Sequence, residues 1–298
     1  MADADDVQPA IARRLGAALE PVIGQVYFSP EAHAGYVALG FDPSPGDAGG
    51  VALPDGPAYF TSRGSLLGHV PGEVVAAAFG VFSPAVVVPA VTLGWTRTDA
   101  PTIRRARHDG AVGQLRRLLG DEPDGIDVVV ELLHRAIEPL RVEGRPIFAG
   151  IRSEPLDDDP IGALFQLGDA LREFRGDAHI AAWTNAGYDA VEISLATELF
   201  WGLPMRSYAR TRAWTGDEFD AATERLRRRG HVDDGGFTDI GRAAREQVEA
   251  DTDVAMAPTL AALGDDIDVL IAALRPWGVA IRAGFGYLRS GPHDLAPN

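Results

Sequence analysis

Residues 214–253, WTGDEFDAATERLRRRGHVDDGGFTDIGRAAREQVEADTD, constrain the fold more than any other stretch of this chain. They read as a helix, a short strand, a tight turn at DDGG, a second short strand and a long helix. That order is a winged helix. Around it nearly everything reads as helix. QPAIARRLGAALE (8–20) is amphipathic, and PVIGQVYFSPEAHAGYVALGF mixes helix and turn signals. Residues 43–57, rich in Pro and Gly, form a loop. GEVVAAAFGVFSPAVVVPAV (72–91) is apolar on nearly all sides, so it predicts a buried helix that Pro84 ends or kinks. Residues 100–120 and 124–140 are amphipathic, and Gly120 stops the first of them. Further helices are expected over 161–174, extending towards 185, and over 188–201. The last stretch, from LAALGDDID onward, reads as a helix with an irregular tail. The expected fold class is mainly α: a helical N-terminal region, then a helical segment and a winged helix with a small β-hairpin wing. The polar break SEPLDDDP (153–160) divides an N-terminal helical domain, 1–155, from a helical plus winged-helix domain, 156–298, with the winged helix at about 211–255.

Composition removes several chemistries. The chain has 298 residues and no cysteine, which excludes disulfides, thiol nucleophiles, iron–sulfur clusters and cysteine-based zinc sites. It has no lysine either, so all 27 basic residues are arginines. A Schiff-base lysine and a P-loop lysine are therefore ruled out. The hydrophobic fraction of 46% is that of a globular protein, and no apolar run approaches the length of a membrane span. The acidic opening MADADDVQPA lacks the basic and apolar regions of a signal peptide, so a cytoplasmic protein is expected. The net charge is −16. Such a surface repels phosphate backbones and anionic membranes unless a local basic patch intervenes. No GxSxG elbow, Walker loop or dinucleotide fingerprint in its required setting occurs, and no cofactor is expected.

Two pieces, ERLRRRGHV and FTDIGRAAREQVEA, resemble the C-terminal half of MarR-type winged helices. More broadly, EPVIGQVYFSPEA (20–32), YFTSRGSLLG (59–68), VVAAAFGVFSP (74–84), ALREFRGDAHIAAW (170–183) and TRAWTGDEFDAATERLRRRG (211–230) resemble a helical family common in actinobacteria. Its members pair an N-terminal helical region with a MarR-like winged helix, and usually carry Pro where this chain has Leu66. The resemblance implies architecture and no particular chemistry. In a MarR-like module the helix DEFDAATERLRRRG would take the recognition position, its first half on base edges and the wing on phosphates. Here that first half carries Asp217, Glu218, Asp220 and Glu224, and the wing tip carries Asp233 and Asp234. Arg225, Arg227, Arg228 and Arg229 fall in the last turns, where they also suit the negative end of the helix dipole. Duplex DNA is therefore not the expected partner.

The stretch LREFRGDAHIAAW (171–183) is the candidate site. At ~100° per residue, Leu164, Leu167, Leu171, Phe174 and Ala178 share one sector. Arg175 borders it, and Arg172, His179 and Trp183 continue along its edge. Glu173 and Asp177 are expected to point to solvent or a neighbouring turn. One reading is an interhelical salt-bridge network, with Arg175 on Glu192 or Glu198 and His179 on a carbonyl. The other is a small-molecule site with His179, Arg175 and Arg172 as catalytic groups: His179 as acid or base, and the arginines on a carboxylate or enolate. Tyr27, Glu31, Tyr59, Arg63, Trp183 and Glu192 are the expected substrate contacts. His33 sits beside them, and the remaining histidines, 69, 108, 134, 231 and 293, read as surface residues. His179, Asp177 and Glu192 lack metal-ligand spacing, so no metal is expected.

Three functions remain open. One is a cofactor-independent acid/base enzyme or small-molecule binder, of cyclisation, isomerisation or lyase type, in bacterial specialised metabolism. The second is a MarR-type ligand-responsive transcriptional regulator, and the third a structural partner protein. A homodimer is expected in each.

Overall fold

The computed structural model describes residues 4–234 and 236–289. Helix α1 (Ala4–Gly24) passes through a single 3-10 turn into α2 (Pro30–Ala38). Ser29 starts α2 by accepting the Ala32 N–H on its hydroxyl, with Pro30 in the first turn. A two-residue hairpin, β1 (Asp47–Ala48) against β2 (Val51–Ala52), folds within the segment expected to be loop. Asp55 then caps α3 (Gly56–Gly64). The apolar stretch 72–91 forms two helices, α4 (Gly72–Phe79) and α5 (Pro84–Gly94). Gly80, at φ 68°, ends the first, and Pro84 opens the second at a position that has no donor to lose.

Two helices follow as the periodicity indicates, α6 (Ala100–Leu119), stopped by Gly120, and α7 (Ile126–Ile137); the short α8 (Pro146–Arg152) comes after them without having been read from the sequence. Helix α9 (Pro160–Asn185) is the longest, at 26 residues. Asp159 caps its N-terminus, and nothing interrupts it before Asn185. The second half continues with α10 (Ala190–Phe200), α11 (Gly216–Arg228), β3 (Val232–Asp233), β4 (Gly236–Phe237), α12 (Asp239–Ala255), α13 (Ala257–Leu263) and α14 (Asp266–Ala283). Strands β3 and β4 pair antiparallel, Val232 opposite Phe237. Helix, hairpin wing and long helix thus follow in the order read from residues 214–253, and the chain is mainly α with a winged helix. No helix among the described residues is long and apolar enough to cross a membrane. His293 lies outside the described residues.

The largest apolar core takes residues from α1, α3 to α9, α13 and α14. Helices α1 and α14 run side by side in the same direction: Arg14 bonds Asp268, and Pro21 packs on Gly278. A second core joins the end of α9, through Ala182 and Trp183, to α10, α11, β3 and α12. A small third cluster holds α2 against α3 and α6. Helix α9 touches both larger cores and is packed by α1, α6, α7, α8 and α12. Where α1 presses on it, Gly168 is required: a Cβ there would lie 2.4 Å from Ile23 Cδ1.

Candidate functional site

A cavity of about 1010 Å³ opens between α9, the N-terminal helices and the winged-helix half. Helix α9 supplies one wall. Arg172, Gly176, His179 and Trp183 line it at steps of four, three and four residues, and Glu173, Asp177 and Ile180 form the adjoining stripe. Phe60, Phe79 and Phe82 face them from the N-terminal half, and Trp201 and Leu203 from beyond α10. The cavity is thus largely apolar, with two clusters of charged groups in its wall.

The first charged group lies between α1, α3 and α9. Arg172 donates to both Glu20 oxygens at 2.8 and 3.1 Å and to Glu173 Oε1 at 2.7 Å. Arg63 donates to Glu173 Oε2 at 2.8 Å and lies 4.4 Å over the Phe79 ring. The Tyr27 hydroxyl donates to Glu173 at 3.3 Å, and the Tyr287 hydroxyl to Glu20 at 3.0 Å. Burial pushes the Glu173 carboxyl up, but Arg63 and Arg172 outweigh it and hold the pKa at about 2. Burial raises the Tyr27 phenol, which stays protonated. Arg172 and Arg63 are therefore already neutralised by carboxylates within the fold.

The second group lies between α9 and α12. Arg175 donates to Glu249 at 2.9 Å and Asp253 at 3.3 Å, and Arg245 donates to the other Glu249 oxygen at 2.7 Å. The acidic partners of Arg175 thus come from α12, in place of Glu192 or Glu198 on α10. His179 Nδ1 sits 3.0 Å from the Thr252 hydroxyl. Burial, with Arg245 and Arg175 adding to it against the pull of Glu249, brings its pKa down to about 3. The ring is neutral at ordinary pH, and a general acid there would have no proton to give. Three buried donors in this region have no acceptor among the described residues: Arg175 Nε, Arg245 Nη1 and Trp183 Nε1.

Asp177 stands apart. Its carboxyl is buried, and Oδ2 accepts the Phe148 N–H of the first turn of α8 at 3.1 Å. Among the described residues its other oxygen has no hydrogen bond, and no arginine pairs with it. Glu20, Glu173 and Glu249, the other carboxylates of the wall, each have one. Burial, helped by the charge of Glu173 one turn away, pushes the Asp177 pKa up to about 6 against the pull of the Phe148 N–H. The cavity's group that titrates near neutrality is a carboxyl.

Of the residues singled out in the sequence, Tyr27, Tyr59, Arg63, Arg172, Arg175, His179 and Trp183 meet at this cavity. Glu31 does not: it pairs with Arg117 at 2.5 Å, on the far side of α2. Glu192 closes a capping box with Asp189 and lies near Arg225 and Arg229, also away from the cavity. Glu173 and Asp177, expected towards solvent, are buried in the wall. The missed signal is the surroundings of α9: over 161–180 none of its residues is exposed, so no solvent face receives them.

Helices α10 and α11, which lead into the wing, are separated by residues 201–215, far longer than the three- or four-residue turn of a helix–turn–helix. This strap holds Tyr208, Arg210 and Arg212 against the cavity. The fully buried Glu198 carboxylate fixes it by accepting the N–H groups of Arg206 and Ala209, each at 2.6 Å, and of Tyr208. On α11 and just past its end, Arg225 is drawn to Asp189 and Glu192, Arg227 to Glu224 and Asp234, and Arg229 to Glu192. Asp217, Glu218 and Asp220 are exposed at its N-terminal end.

Fold and site together define a mainly α, winged-helix protein with a large cavity along α9. The profile of a helix-turn-helix family matches residues 12–288, and the chain belongs to that family. No curated protein and no solved structure matches it.

Proposed function

We propose that the protein binds a small, largely apolar molecule in this cavity and carries out proton transfer on it, with Asp177 as the acid/base group. The observation that supports this is the unpaired Asp177 carboxyl in an apolar chamber whose other carboxylates are all neutralised. A base poised near neutrality is what proton abstraction and return require. Isomerisation or cyclisation fits, since the proton taken by Asp177 Oδ1 from one position of the ligand can be returned at another. Tyr27, Tyr59, Arg63, Arg172, Arg175, His179 and Trp183 then shape and polarise the chamber. A cytoplasmic homodimer of MarR-like build in a bacterial specialised pathway belongs to the same proposal.

The family favours a second reading, a ligand-responsive DNA-binding regulator of the MarR type. Its difficulty is electrostatic: the exposed carboxylates of α11 would face phosphates, and Arg225, Arg227 and Arg229 are drawn to carboxylates of the chain itself. Two measurements decide. A neutral fluorescent polyene alcohol should bind the wild type and not Gly176→Phe, since a Cβ at Gly176 meets only Glu173 Oε2 at 3.6 Å and a ring there grows into the cavity. Equal binding to both proteins removes the cavity reading. A gel shift on the DNA upstream of the protein's own coding sequence should show no complex at physiological salt; nanomolar, salt-sensitive binding would establish the regulator.

A further inference from the structure

The cavity wall carries six arginines, at 63, 172, 175, 210, 212 and 245, against four carboxyl groups, at 20, 173, 177 and 249. In a chain of net charge −16 this is a local excess of positive charge. Four of the arginines are held by carboxylates. Arg212 and Arg210, both on the strap, have no carboxylate partner among the described residues. Arg212 is nonetheless tightly placed. Its carbonyl accepts the Ser83 N–H at 2.9 Å, and its guanidinium lies 4.5 Å from the Phe82 ring centre and 4.6 Å from that of Tyr208. Among the described residues one hydrogen bond, from Nη2 to the Tyr208 hydroxyl, uses one of its five N–H donors. Its Nε and Nη1, which make no hydrogen bond among the described residues, are not sealed in by neighbours. A half-buried cation gripped by two rings, with donors open, is arranged to meet an anion. The planar fork suits a carboxylate.

We infer that the strap binds the acidic head of the ligand, and that the ligand is an amphipathic carboxylic acid whose apolar body lies among Phe60, Phe79, Ile180 and Trp183. Arg212 forms the ion pair, and the exposed Arg210 adds charge at the mouth. The inference rests on the cavity reading above and names the chemical class that cavity selects.

The test compares a fluorescent long-chain polyene carboxylic acid with the primary alcohol of the same chain. On the wild type the acid should bind at least about tenfold tighter, about 1.4 kcal/mol. Arg212→Gln should erase that difference by weakening the acid alone, and Arg212→Lys should restore part of it. Acid and alcohol binding the wild type equally would overturn the anion site and leave the cavity reading standing; this arm needs no variant to fold. Neither probe binding the wild type would overturn both. An acid preference that survives in Arg212→Gln, in a protein with unchanged circular dichroism, would move the head group away from the strap and defeat the inference.

Discussion

At Asp177 and His179 burial acts on opposite charges, and the two residues tie stability to pH with opposite signs. The Asp177 pKa rises from 3.8 to about 6 on folding, so between those values the folded chain holds this proton more firmly than the unfolded one. Its contribution to stability is full below pH ~4 and is lost as pH rises through ~6. Two pKa units correspond to about 3 kcal/mol. Asp177→Asn keeps an acceptor for the Phe148 N–H and cannot ionise. Urea unfolding should therefore show it more stable than wild type at pH 7, by about 2–3 kcal/mol, and equal at pH 4. A difference independent of pH would show that the shift is absent. His179 behaves inversely. Its pKa falls from 6.5 to about 3, so its contribution is full above pH 6.5 and disappears as pH falls towards 3. His179→Asn should flatten the acid limb of the wild-type stability curve. It should cost on the order of 1–3 kcal/mol at pH 7 through the Thr252 contact. The stripe of Arg172, His179 and Trp183 was legible from helical spacing. The roles along it were not, because the ordinary titration range of a histidine suggests proton transfer, while the two nearby arginines and the burial of His179 are tertiary facts. Asp177 was missed for the matching reason: periodicity alone cannot show that a helix lacks a solvent side.

At the level of elements, most of the helices were readable because their caps and stops are written locally. Asp159 before α9, Thr215 with Glu218 on α11 and Gly120 after α6 are examples. The wing was readable from DDGG between two β-prone pairs. The strap was not. Residues 201–215 carry no long periodic pattern, and their order comes from Glu198, a carboxylate on the preceding helix. Two non-glycine residues in the strap, Arg206 at φ 66° and Ala213 at φ 61°, hold left-handed conformations that cost about 1 kcal/mol each. Glu198→Ala leaves three backbone N–H groups without their acceptor and should destabilise the protein by about 2–4 kcal/mol. Because the chain has no lysine, trypsin cuts only at arginine. The variant should be nicked first at Arg206, Arg210 or Arg212, as read by mass spectrometry. First cuts elsewhere, with the strap intact, would show that Glu198 does not hold it.

On the scale of the whole molecule, the largest core joins elements far apart in the chain. Leu15, Leu19 and Val22 of α1 share it with Leu270, Ile271 and Leu274 of α14. A chain ending at Ala255 should keep helical circular dichroism yet lose cooperative melting and bind a hydrophobic dye, since the face of α1 is left uncovered. Sharp two-state unfolding of that fragment would show the last two helices to be dispensable. The same arrangement bears on how the protein is made. Synthesis proceeds from α1 onward at about 5–20 residues per second. The apolar side of α1 therefore waits more than about ten seconds for the helix that covers it to leave the ribosome. During that interval the nascent chain is a natural client for chaperones, and its final collapse belongs to the moments after translation has passed α14.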